Sequence, residues 1–153
     1  MRAFPRPASR GFSLIELMVA VVIAGILAAV AYPAYTSFVL RSRRADAIAV
    51  LTAIVQAQER YRTNRNEYAS SADTLNVNVQ GISKYYTLSI AGVGATPSLT
   101  AGYLATASVV STSAQQNDTA CTKLAVELKG AELKYLAASG TSDLVSNSAC
   151  WAR

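Results

Sequence analysis

With 153 residues, the chain has room for one modest domain and a segment outside it. Charged residues make up 15% and apolar ones 52%, and there is no His, which excludes His-based catalysis and His metal sites. The formal charge of +5 is uneven: Arg2, Arg6 and Arg10 precede Phe12, and from there on eleven basic residues face nine acidic ones.

A basic leader, MRAFPRPASRG, opens the chain, and the apolar run begins only after Gly11. An ordinary signal peptide places its cleavage site behind the apolar core; here the order is reversed. Residues 17–40 carry no charge. In a helix they rise about 36 Å, enough for a hydrocarbon core of about 30 Å. Glu16 is the single ionisable side chain near the start of this run. A lone carboxylate in lipid costs roughly 2.5–3.5 kcal/mol, so it needs a partner or an escape to the interface. Pro33 and Gly25 are two weak points, and Pro33 predicts a kink.

The helix is expected to run from about Ser13 to about Arg62. After Leu40 it turns amphipathic: Ala47, Leu51, Ile54, Gln58 and Tyr61 recur at three- and four-residue spacings, beside Ile48 and Val55. TNRN at 63–66 ends it, and residues 64–84 read as a connecting loop. Strand alternation follows in YYTLSI, GYLATASVV, TKLAVEL and AELKYLA, with a turn at Lys129–Gly130. Four strands joined by short turns imply an antiparallel meander with one face on the helix, an α+β fold.

The junction GFSLIEL, with the leader before it and the apolar run behind, resembles the class III signal of type IV prepilins and related pseudopilins. The likeness is strong over about residues 10–40. It implies removal of residues 1–11 by a prepilin peptidase cutting between Gly11 and Phe12, then N-methylation of Phe12. It further implies that Glu16 pairs with the Phe12 amine of a neighbouring subunit, and that Pro33 matches a family proline tied to helix curvature and local melting in filaments. The implied domains are a filament-core and transmembrane helix at 12–40 and a periplasmic globular domain at 41–153. The latter comprises an amphipathic helix half at 41–63, the loop at 64–84, and the sheet and C-terminal loop at 85–153. The implied fold is the type IV pilin fold: a long kinked helix on a four-stranded antiparallel sheet, with a disulfide-bounded C-terminal loop.

Cys121 and Cys150 enclose that loop. Two thiols without His make a poor metal site, whereas a domain outside the cytoplasm permits a disulfide. RSRR at 41–44 reads as a solvated, headgroup-facing collar, or as a contact with acidic groups of a neighbouring subunit. Arg60, Arg62 and Arg65 mix with Tyr61 and Tyr68, a composition that suits phosphate contacts and base stacking in nucleic acid; it equally suits a helix end packed under a loop. The stretch ERYRTNRNEYASS and the C-terminal Cys-Trp resemble the minor-pilin branch that serves DNA uptake.

No enzyme constellation and no cofactor motif are present: no His exists to activate Ser or Thr, and Glu127, Glu132 and Asp143 are not spaced as a pair. The leading expectation is a structural subunit, a minor pilin, supporting twitching motility, adhesion or DNA uptake. Its partners would be other pilin subunits, the prepilin peptidase, the inner-membrane assembly platform, membrane lipid before assembly, and DNA. It would sit in the bacterial inner membrane before assembly and in the extracellular filament afterwards. A type II secretion pseudopilin, a pilus-associated DNA receptor and a major pilin are the alternatives; the late cysteine pair weighs against the first.

Overall fold

The computed structural model describes residues 11–146 and 148–151; the leader arginines and Arg153 lie outside them. The chain divides into two compact units, Met1–Phe38 and Val39–Arg153. Helix α1 (Leu14–Thr63) supplies residues to both.

In the first unit, Ser13 opens α1 by accepting the Glu16 amide on its Oγ at 3.2 Å, which satisfies one of the amides a helix start leaves unpaired. Pro33 lies within the helix. It has no N–H to donate, yet the helix continues, and the Thr36 and Ser37 hydroxyls each donate to the carbonyl three residues back, of Pro33 and Ala34, at 2.9 Å. The large apolar side chains from Phe12 to Phe38 are exposed, among them Val30 at 72%. Burial of such a surface needs an apolar surrounding, and α1 is long and apolar enough to cross a membrane.

In the second unit, α1 buries Ala47, Ile48, Leu51, Ile54, Ala57 and Gln58. These pack into one core with Tyr86, Tyr103, Ala105, Ala107, Leu124, Val126, Leu128 and Ala137 of the sheet. The strands are β1 (Tyr86–Val93), β2 (Ser98–Val109), β3 (Lys123–Lys129), β4 (Glu132–Ala138) and β5 (Val145–Ser146), antiparallel in order β1-β2-β3-β4-β5. A 3-10 turn (Ala114–Asn117) links β2 to β3, and a single helical turn, α2 (Ser148–Trp151), follows β5.

The sheet therefore has a fifth strand beyond the four expected. Two residues leave no alternation to read, and β5 exists only as a partner to Leu136 and Ala137. β1 and β2 also run further towards each other than the pattern indicated. Gly92 interrupts the alternation, and a register shift between Gly92 and Val93 absorbs the irregularity without ending the pairing. Gly130, at φ +62°, opens the two-residue turn between β3 and β4, a conformation in which a Cβ would be strained.

The connecting loop is pinned by Gln58. Its side-chain amide donates to the Ala69 carbonyl and accepts the Ala69 amide, each at 2.8 Å, so a fully buried polar side chain is satisfied at both ends.

Candidate functional site

The residues singled out from sequence fall into four places. At the start of the first unit, Gly11 and Phe12 precede the helix, and Glu16 lies in its first turn, exposed along with them. Ser13 and Glu16 stand at the spacing of an N-terminal capping box, a local reason for an acid at this position that the apolar context had masked.

The second place is the C-terminal end of α1. Arg62 holds its guanidinium 5.2 Å from the Tyr68 ring centre, and Arg65 lies 4.2 Å over Tyr61. Arg62 Nη1 reaches the Arg65 carbonyl at 3.5 Å. Tyr68 in turn packs on Tyr103, ring centres 5.0 Å apart, and Tyr103 is fully buried. Arg62, Arg65 and both tyrosines thus form one cation-aromatic cluster anchored on the core, while Arg60 stands exposed in the last helical turn with no ring beneath it among the described residues. Neither Glu59 nor Glu67 forms an ion pair among the described residues. Three arginines stand against two carboxylates on this stretch, a net charge of +1.

The third place corrects the collar reading of RSRR at Arg44, while Arg41 and Ser42 stay exposed. Arg44 turns inward: its Nε donates to Asp118 Oδ2 at 3.0 Å and its Nη2 to Oδ1 at 2.7 Å. Both side chains are largely buried, at 14% and 6% exposure. Gln115 Nε2 donates to the Leu40 carbonyl and to Asp118 Oδ2, each at 3.2 Å. Arg43 lies 4.0 Å over Tyr85. Asp118 and Tyr85 carry no sequence signal for these roles, because their partners are distant in the chain.

Beside this knot, the Tyr86 hydroxyl has its pKa pushed up to about 12, chiefly by burial and secondarily by the Asp118 carboxylate. Burial also raises that of Tyr103.

The fourth place is the C-terminal loop. Cys121 and Cys150 form a disulfide, Cα atoms 5.7 Å apart. It ties α2 to the start of β3, and Trp151 Nε1 donates to the Leu136 carbonyl at 3.0 Å while its ring meets Tyr135 edge-on at 4.9 Å. Leu133 and Tyr135, which alternate with charged residues in this strand, remain 36% and 46% exposed. Among the described residues no group of His, Cys, Asp and Glu is arranged to hold a metal.

Comparison with known proteins yields two family matches. Residues 33–125 match the model described as "Type IV minor pilin ComP, DNA uptake sequence receptor", and residues 6–32 match the prokaryotic N-terminal methylation motif. Similar proteins include the type IV major pilin protein PilA of Myxococcus xanthus, 41% identical over 69 residues, or 45% of this chain. A fimbrial protein of Neisseria meningitidis is 42% identical over 62 residues, 40% of the chain. One from Pseudomonas aeruginosa is 42% identical over 65 residues, 42% of the chain. These alignments cover 31%, 36% and 42% of the respective relatives, well under two thirds of each.

Proposed function

Because the chain belongs to the ComP family of type IV minor pilins, we propose that it is a membrane-anchored pilus subunit that carries duplex DNA on the Arg60–Arg62–Arg65 end of its globular unit. The observation that carries this reading is the match of residues 33–125 to a family described as a DNA uptake sequence receptor. The cation-aromatic cluster on the same stretch supports it.

Assembly starts at the N-terminal junction. A prepilin peptidase cuts between Gly11 and Phe12 and leaves an amine on Phe12, which is then methylated and stays cationic. Until assembly, Glu16 sits at the edge of the lipid without a partner from a neighbouring subunit, which penalises the isolated subunit. In the filament the Phe12 amine of a neighbour offsets that charge. Pairing of this kind sets register more surely than it adds stability. The apolar side chains of 12–40 then exchange lipid for one another, and the sheet domains form the exterior. Before assembly the globular domain faces the periplasm; afterwards it lies outside the cell.

At the distal end of α1, the guanidinium groups contact phosphate oxygens and release counterions. Stacking of Arg62 on Tyr68 and of Arg65 on Tyr61 orders both side chains before DNA arrives, so less rotamer freedom is lost on binding. Sheared filaments from cells carrying the chain provide the test of the subunit claim. The chain should be found in them with Phe12 as its first residue and one added methyl group. Absence from filaments while pili form normally would refute it.

A further inference from the structure

Arg43, Lys84 and Tyr85, distant from the Arg60–Arg65 cluster in sequence, line one cleft of about 370 Å³ together with Thr112, Ser113 and Ala114. The Arg43 guanidinium lies 4.0 Å from the centre of the Tyr85 ring, and the Lys84 ammonium lies 5.9 Å from the same centre. No carboxylate lines the cleft, and neither cation forms an ion pair among the described residues. Both cations line the cleft without an ion-pair partner among the described residues, so the cleft favours an anion. The contact of Arg43 with Tyr85 is through the ring, and a guanidinium carries N–H donors in a fork that suits an oxyanion.

Position along the chain narrows the anion. Arg43 stands three residues beyond Leu40, the last residue of the uncharged run, or about 4.5 Å further along the helix. With that run in the bilayer, Arg43 lies at the depth of the headgroup phosphates, where a basic residue is attracted to anionic lipid. A cleft of this volume accommodates a single headgroup; it is not a track for a nucleic-acid backbone.

We propose that the Arg43–Lys84–Tyr85 cleft binds the phosphate of an anionic phospholipid headgroup before the subunit leaves the membrane. Arg43 and Lys84 hold the phosphate oxygens, and the exposed Thr112 lies at the cleft for the glycerol or alcohol moiety. Ser113 is not free for this task, since its hydroxyl donates to the Val110 carbonyl and accepts the Gln115 amide. The inference rests on the membrane reading of α1 proposed above.

The full chain in phosphatidylcholine nanodiscs containing phosphatidylglycerol tests it, with bound lipid counted by native mass spectrometry. Wild-type protein should retain phosphatidylglycerol in preference to phosphatidylcholine. Arg43→Gln with Lys84→Gln should weaken that retention at least about tenfold, and Lys84→Gln alone, at an exposed position, should weaken it in part. Lys129→Gln, at an exposed position outside the cleft, should leave it unchanged. Equal retention by the double variant and wild type would overturn the proposal. So would loss of duplex DNA binding in the double variant with lipid retention intact, which would give the cleft to DNA. Failure of the wild-type chain to co-elute with any nanodisc would overturn the membrane reading as well, and so marks that failure apart.

Discussion

Arg44 and Asp118 lie 74 residues apart in sequence and meet as a two-bond fork, Nε to Oδ2 and Nη2 to Oδ1. This pair joins α1 to the turn that leads into Cys121, so the helix and the disulfide-bearing end of the sheet are held by one largely buried ion pair. Removing one partner strands the other charge away from water. Asp118→Ala should destabilise the globular unit by about 3 kcal/mol or more, read as a lower urea midpoint. Arg44→Met combined with Asp118→Leu should recover much of that loss. An unchanged midpoint in Asp118→Ala would show that the pair is dispensable.

The Cys121–Cys150 bridge closes a segment that carries β3, β4 and β5 and ends within α2. In the chain-entropy account a closure of this length contributes about 3–4 kcal/mol. Replacing both cysteines by Ser should lower stability by that order and free Trp151 from the Leu136 carbonyl, seen as a red-shifted tryptophan emission. Emission and midpoint both unaltered would mean that the loop is held by its other contacts.

Tyr86 gives the fold a limit at alkaline pH. Its phenol is neutral when protonated, and its folded pKa lies near 12 against an ordinary 10.0. The native state therefore binds that proton more tightly than the unfolded chain. The resulting stability is complete below pH 10 and is lost as pH rises towards 12. Tyr86→Phe should flatten this part of the stability–pH curve relative to wild type. Parallel curves for the two proteins would contradict the assignment.

Glu16 separates insertion from assembly. Glu16→Ala should insert into membranes as well as wild type, or better, since it removes a charge from lipid. Its incorporation into filaments should fall about tenfold or more, a coupling loss of one to two kcal/mol. Normal incorporation would argue that the Ser13–Glu16 cap, and not intersubunit pairing, accounts for the acid.

Most of the architecture could be read from residue pattern. The apolar run, the switch to amphipathic spacing at Ala47, and the alternation of Leu124, Val126 and Leu128 are local signals, and the elements follow them. What escaped were contacts between distant segments. Nothing near Arg44 in the chain announces Asp118, and nothing near Arg43 announces Tyr85; only the meander brings them together. β5 was invisible for the same reason, being defined by its partner strand. The cluster of Arg62, Arg65, Tyr61 and Tyr68 was legible because all four lie within one helix end and the loop that follows.

DNA binding by that cluster is the central claim, and a salt series of fluorescence anisotropy on the purified chain with labelled duplex tests it most directly. Wild type should bind, with log K falling against log salt at a slope of which roughly 2 to 3 comes from the three arginines. Arg60→Gln, Arg62→Gln and Arg65→Gln together should remove that part of the slope. No binding at low salt, or a triple variant that keeps the wild-type affinity and slope, would contradict it.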